Sequence, residues 1–441
     1  MRLLFIENRE KTYFWAAIAR RLAAMGHDVA WLVQNPPFAR DLPGRVYVIP
    51  FPGRRELDHR LDLADFPALA TDRGRQHFEA GSAHYAYYSE RIGAILDTEK
   101  PGLVIGESTL FHELLAIDLC EKRHIPFTYP GSERYPPGRF SMYGGATQKP
   151  LIESGEALDW DKAVDLATRV RDRHVIPEYM TRGARQSTVL PRLRRILSRG
   201  RVIFGRWRGE HYNTPSIRRK YALTRMAKRN LERWRAIAGV PADPARTILY
   251  PLQQQPENTI DVWGRPDCDQ VDILRRILAA APADVAVAVK GNPRPYYEVS
   301  DALLDLAEAE PRLHMLPLDW SMEQALAGTT GAVTVTGTVG YEAVCGRGRC
   351  LSVAHPVLNA DFPDFTAPSI EAAVLRLLDD PEAGRGSPEL GARLMQRLYR
   401  RSFPGLINDP ISDPLAMAPA NIEAVARGID SALARLEAGE V

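Results

Sequence analysis

The chain has 441 residues, too many for one ordinary hydrophobic core, and two domains of similar size are expected. Hydrophobic residues make up 45% and charged residues 25%, which excludes a disordered or fibrous chain. The net charge of +2 gives no ground for nucleic-acid binding, and no apolar run of about eighteen residues is present to span a membrane.

Leu3 to Ile6 reads as a short buried strand, and the charges at Glu7, Arg9, Glu10 and Lys11 behind it argue against a signal peptide. A helix over Tyr13 to Met25 follows, with Phe14, Ile18 and Leu22 on one face and Gly26 at its end. Strands are expected at Val29 to Val33 and Val46 to Ile49, a helix over Gln76 to Leu96, and a strand at Leu103 to Ile105. A helix over Leu110 to Lys122 leads to Pro126-Phe127-Thr128. Short apolar strands separated by amphipathic helices predict a parallel sheet covered on both faces.

The middle of the chain, 182–235, holds seventeen Lys or Arg and only two acids, Glu210 and Glu232. Trp207, Tyr212 and Trp234 are interleaved with these charges, and Ser216 to Ala238 reads as a helix. A basic cluster of this kind suits an anionic membrane surface or glycolipid, at about 1 kcal/mol per charge, or a solvated helical face. No nucleic-acid motif accompanies it.

The strand–helix alternation then returns. Strands are predicted at Thr247 to Tyr250, Val285 to Val289, His314 to Leu316, Val333 to Thr336 and Leu351 to Val353. Helices are predicted over 271–281 and Ser321 to Leu326, and the tail Ile422 to Leu436 is an amphipathic helix. The fold class is α/β: a Rossmann-like domain over 1–235, including the basic segment 182–235, and a second over 236–441 with its C-terminal helix, with a cleft expected between them. Ligands of such sheets lie beyond the carboxyl ends of the strands, so the functional residues should sit on the loops there.

Thr336-Gly337-Thr338-Val339-Gly340-Tyr341-Glu342 reads as a strand end, a glycine turn and a helix start. Backbone N–H groups at such a turn suit a phosphate, and Glu342 suits either a sugar hydroxyl or the helix dipole. Lys290, directly after a strand, could neutralise an anion as a point charge or be a solvated lysine before the turn at Asn292-Pro293. Gln253, Gln255 and Glu257 make an unusually polar loop, able to read a nucleobase or sugar hydroxyls or simply to face solvent. Glu107, after the strand Leu103 to Ile105, is the first candidate for acid/base or nucleophilic work, with Glu7 in the analogous place as its reserve. Arg134 and Arg139, beside aromatic residues, suit an anionic acceptor or structural ion pairs. The four cysteines have no metal-ligand spacing and read as reduced packing residues of a cytoplasmic protein.

Together, Leu249-Tyr250-Pro251-Leu252-Gln253, Pro256-Glu257, Asp261-Val262-Trp263-Gly264, Lys290-Gly291-Asn292-Pro293 and the 336–343 turn resemble the bacterial capsular polysaccharide biosynthesis family. That family includes transferases of 3-deoxy-manno-octulosonic acid (Kdo) that use a CMP-linked donor. Gly106-Glu107-Ser108 and Pro137-Gly138-Arg139-Phe140 extend the resemblance more loosely into the first half. It implies a GT-B glycosyltransferase with no cofactor and no catalytic metal. The partners would be a nucleotide-sugar and a glycan or glycolipid acceptor; the expected location is the cytoplasm, with the basic segment 182–235 offering attachment to the inner face of the cytoplasmic membrane. Lys290, Asn292, Pro293, Thr338, Gly340 and Glu342 would hold the donor. Asn292 stands where the family often has histidine, and asparagine cannot carry a proton or a charge. Two other readings stay open: a non-catalytic polysaccharide-binding or assembly protein, and a nucleotide-sugar epimerase or hydrolase.

Overall fold

The computed structural model describes residues 1–177, 189–208, 210–292, 297–411 and 413–439. The chain divides into two compact units. The first holds Met1–Leu158, Ile176–Pro215 and Arg397–Val441, and the second holds Asp159–Val175 and Ser216–Gln396.

In the first unit, strands β1 (Arg2–Ile6), β2 (Asp28–Val33), β3 (Arg45–Val48), β4 (Leu103–Ile105) and β5 (Phe127–Ser132) run parallel in the order β3-β2-β1-β4-β5. Strand β6 (Arg139–Gly144) turns back antiparallel beside β5, and β7 (Pro150–Ile152) pairs with β6. Leu3, Leu4, Phe5 and Ile6 are all buried, as a central strand covered on both faces requires. The helix Lys11–Ala24 sends Phe14, Ile18 and Leu22 into the same core, and Phe5 stacks on Trp31 with ring centres 4.7 Å apart. The single helix expected over 76–96 is two, Arg73–Phe78 and Tyr85–Glu99. Glu79 takes a left-handed conformation that ends the first of them.

In the second unit, β8 (Thr247–Pro251), β9 (Ala286–Lys290), β10 (Leu313–Met315), β11 (Gly331–Thr334) and β12 (Cys350–Ser352) form a parallel sheet in the order β10-β9-β8-β11-β12. Strand β11 ends two residues before the predicted Thr336. There the Thr336 N–H is taken by the side chain of Gln253 and not by a neighbouring strand. Both sheets repeat one winding, with the strand order reversing between β1 and β4 and again between β8 and β11. That is the Rossmann arrangement, and each reversal opens a crevice at the carboxyl ends of its strands. The architecture is therefore α/β and GT-B-like, two Rossmann-like units with a C-terminal helix.

The division differs from the single boundary expected after residue 235. A cut there would sever the helix Ile217–Ile237, whose Trp234 lies in the core of the second unit and donates its indole N–H to the Leu316 carbonyl at 2.9 Å. Beyond the second unit, β13 (Phe403–Pro404) joins the first sheet antiparallel to β6. The helix Pro419–Glu437 adds Ile422, Val425, Ile429 and Leu433 to the first core, next to Phe14 and Ile18.

Two buried arginines fasten this returning segment. Arg401 pairs with Glu133 at 3.1 Å, each side chain only 2% exposed. Arg139 donates to the Ser402 hydroxyl at 2.9 Å, to the Ser402 carbonyl, and to Glu156 at 2.8 Å, and lies 3.7 Å from the Tyr399 ring centre. Breaking one partner of a buried pair leaves an uncompensated charge, so Arg401→Met should lower unfolding stability by about 3–5 kcal/mol. Adding Glu133→Gln should restore much of that loss, as read from urea midpoints.

Candidate active site

Strand β1 ends at Ile6 and β4 at Ile105, and the two are paired neighbours, with Phe5 beside Ile105. Glu7 and Glu107 therefore leave adjacent strand ends at the point where the strand order reverses. This is where a Rossmann-like sheet binds its ligands. The helix Lys11–Ala24 begins immediately after β1, and its first residue, Lys11, donates from Nζ to Glu107 Oε1. The helix Phe111–Glu121 starts just beyond Glu107, and Glu113 Oε2 accepts the N–H groups of Thr109 and Leu110 at 2.9 and 2.8 Å.

Glu7 and Glu113 are buried while Glu107 and Lys11 are a quarter exposed, and three carboxyls this close cannot all ionise freely. Burial, then the charge of Glu107, raises Glu7 from 4.5 to about 8, and Lys11 only partly opposes this. Burial and Glu107 likewise raise Glu113 to about 8. Burial would also raise Glu107, but Lys11 outweighs it, with help from Arg73 and Arg9, and Glu107 stays below the ordinary range. Lys11 is pulled down by burial and carried up further by Glu107, so it remains charged. The site thus pairs an ionised carboxylate with a carboxyl that titrates near neutral pH. This separation marks acid/base groups.

A polar network continues from there. Asn8 donates from Nδ2 to His112 Nε2 at 2.9 Å and accepts the Gln34 N–H at 2.5 Å. Burial drives His112 down to about 3, so the ring is neutral. Because Nε2 accepts, the ring proton lies on Nδ1. The loop after the basic helix folds in as well. Glu210 accepts from Arg9 and from Asn35 Nδ2, the latter at 2.7 Å, and Asn213 donates to Gln34 Oε1 at 2.7 Å. Arg9 Nη2, Gln34 Nε2, Asn35 Oδ1 and Ser108 Oγ are buried with no hydrogen-bond partner among the described residues, while the His112 ring also pairs with the Asn213 side chain. An unmade buried hydrogen bond costs about 1–3 kcal/mol, so such a concentration of them suits a hydroxyl-rich ligand.

The corresponding crevice of the second unit is built differently. Gln253 Nε2 donates to Thr336 Oγ1 at 2.7 Å, its Oε1 accepts the Thr336 N–H, and Thr336 Oγ1 donates to the Thr259 carbonyl. Gln255 donates to Asp261 at 2.6 Å and to the Cys268 carbonyl, and Gln270 links Gln253 to Gln255. The glutamines expected to read a base or sugar are braces between loops. In the turn expected to hold phosphate, the N–H groups of Gly337, Gly340 and Glu342 bond to Thr334 Oγ1, the Gly337 carbonyl and the Thr338 carbonyl, so these three are engaged within the turn. Glu342 is buried 3.4 Å from Arg347. Lys290 is 3% exposed, donates to its neighbour's carbonyl at Gly291, and is lowered by burial. Asn292 and Glu257 are half-buried, and Pro293 lies outside the described residues.

In the first unit, Arg139 has its guanidinium committed to Ser402 and Glu156 and does not offer it to an acceptor, while Arg134 is half-buried. The structure therefore gathers Glu7 and Glu107 and adds Lys11, Glu113, His112 and Glu210, which the sequence reading passed over. One signal was visible: Glu210 is an isolated acid inside a run of seventeen bases. Among the described residues no group of three or more His, Cys, Asp or Glu is arranged to hold a metal ion, and no helix is long and apolar enough to cross a membrane.

No family model matches the chain, and no curated protein matches it. Several solved structures are similar to it over most of their length. UDP-GlcNAc 2-epimerase from Methanocaldococcus jannaschii is 13% identical, covering 90% of this chain and 99% of its own, with a TM-score of 0.27. The Neisseria meningitidis UDP-GlcNAc 2-epimerase is 11% identical over 90% and 98%, with a TM-score of 0.29. MurG of Acinetobacter baumannii is 13% identical over 97% and 98%, with a TM-score of 0.23. The fold assignment rests on the strand orders of the two sheets.

The raised Glu7 and Glu113 carboxyls have a thermodynamic consequence. A group with a higher pKa folded than unfolded holds more protons in the folded state between the two values, so stability falls as pH rises through that window. Thermal unfolding midpoints should therefore drop between pH 4.5 and about 8, and Glu7→Gln should flatten that drop.

Proposed function

We propose that this protein is a glycosyltransferase that moves a sugar from a nucleotide donor to a surface glycan or glycolipid, with acid/base chemistry at the β1–β4 crevice. The observation that carries this reading is the placement of Glu7 and Glu107 at the adjacent ends of β1 and β4 with Lys11 bonded to Glu107, which leaves Glu7 raised to about 8 and Glu107 lowered. A general base works best when its pKa lies near the working pH. By that criterion Glu7, first ranked as the reserve, is the better base, and Glu107 is the charge that tunes it. In the proposed step Glu7 takes the proton of the acceptor hydroxyl as that oxygen bonds to the anomeric carbon. The bond from that carbon to the donor phosphate breaks, and the nucleotide leaves with the electron pair. The buried, unpartnered polar atoms of Gln34, Asn35 and Ser108 are suited to sugar hydroxyls. The motif resemblance in the second unit favours a CMP-linked donor and Kdo as the sugar, in capsule biosynthesis.

The same pair supports a second reading. An acid and a base in one crevice can exchange protons on a sugar with no acceptor present, as a nucleotide-sugar epimerase or hydrolase would. Product analysis with and without an added glycan separates the two. Transfer requires the acceptor, whereas epimerisation or hydrolysis proceeds in its absence.

Two experiments test the site. Glu7→Gln should lower turnover by about 10²–10⁴-fold while nucleotide binding survives, and undiminished turnover would remove Glu7 from the chemistry. Glu107→Gln removes the charge that raises Glu7, so the rising limb of the pH–rate profile should move to lower pH. Thermal shifts against CMP, UDP, GDP and CDP identify the donor, because a ligand bound only by the folded state raises the melting temperature. A shift with CMP or CDP alone is expected.

A further inference from the structure

The helix Val189–Arg208 carries seven arginines and no lysine or acid. It belongs to the first unit and meets it closely at one point. Gly205 is buried, and a Cβ there would lie 2.0 Å from Asn35 Nδ2. With 3.6 residues per turn, Ile196, Ile203 and Trp207 fall on one stripe opposite Gly205, with Leu197 and Phe204 beside it. These five are exposed by 62%, 58%, 71%, 59% and 52%, an outward apolar face that no part of the unit covers.

Charges border this face on both sides. Arg199 and Arg206 lie along one flank, and Arg201 and Arg208 along the other. Arg201 reaches Tyr13 and Arg206 reaches the Pro215 carbonyl, while Arg199 and Arg208 are exposed. Trp207 and Arg208 also line an open groove of about 410 Å³ with Pro36, Val48, Pro50 and Phe51, which extends the apolar surface onto the protein body.

We infer that this face docks on an anionic lipid surface, lying in the interface with its apolar stripe among the acyl chains and its arginines at the headgroups. An apolar stripe between two cationic flanks is the pattern of an interfacial helix. A second copy of the chain fits less well, because a symmetric pair would bring arginine flanks together with no acid on the helix to offset them. Nucleic acid fits less well because the centre of the face is apolar. The surface stands independently of the transfer reading.

Sedimentation of the full chain with vesicles tests this. The wild type should pellet with phosphatidylglycerol-containing vesicles and stay in solution with pure phosphatidylcholine. The triple variant Ile203→Ser, Phe204→Ser, Trp207→Ser should lose binding by at least about tenfold, since each side chain leaves an apolar surface. Arg199→Gln with Arg208→Gln should weaken it by about thirty-fold. All five positions are exposed, so circular dichroism and the thermal unfolding midpoint of each variant should match the wild type. Equal binding to both vesicle types, or unchanged binding by the triple variant, overturns the proposal. So does a dimer, seen by light scattering, that the triple variant abolishes while the wild type ignores vesicles.

Discussion

The ammonium group of Lys11 is the constraint on which the first unit's chemistry depends. Parallel winding brings the ends of β1 and β4 side by side, and both are followed by glutamate. A third carboxyl, Glu113, enters because the next helix needs its first N–H groups capped. Three acids gathered by backbone geometry would repel one another strongly in a medium of low dielectric. Lys11 stands at the first turn of the intervening helix and neutralises one of them. The other two keep their protons to higher pH. The asymmetry among the acids follows from the hydrogen-bonded contact of Lys11 with Glu107, to which Arg73 and Arg9 add.

The two crevices use the same topology to opposite ends. In the second unit, polar side chains at the strand ends are paired with one another, and the glutamines cross-link loops that would otherwise be held by backbone alone. In the first, the side chains of Gln34, Asn35 and Ser108 are buried beside the carboxyl cluster with hydrogen-bonding capacity unspent. A saturated network fixes loops in place, and an unsaturated one leaves binding energy for something else to claim. The proposed chemistry therefore falls in the first unit, although the more conspicuous sequence motifs lie in the second.

Most of the winding was legible, because fully buried strands and one-faced helices leave periodic traces. Leu103 to Ile105 was placed to the residue, and the tail helix within three residues at its start. Glu7 and Glu107 were legible for the same reason, since a residue just after a parallel strand has a known address. What escaped was set by contacts between distant parts of the chain. The pairing of Phe403 with Phe140 leaves no local trace, and the role of Arg139 cannot be read without knowing that Ser402 lies against it. The glycine turn at 337–340 was legible as a turn, but its spacing says nothing about which of its N–H groups are already engaged.

The discontinuity of the first unit bears on how the protein is made. Its sheet and core stay incomplete until β13 and the helix Pro419–Glu437 arrive, whereas the second unit is finished by Gln396. On the ribosome the later-encoded half can therefore mature first. The nascent first half must wait with Phe140, Phe14 and Ile18 unsheltered, and it is this half that would draw chaperones during translation.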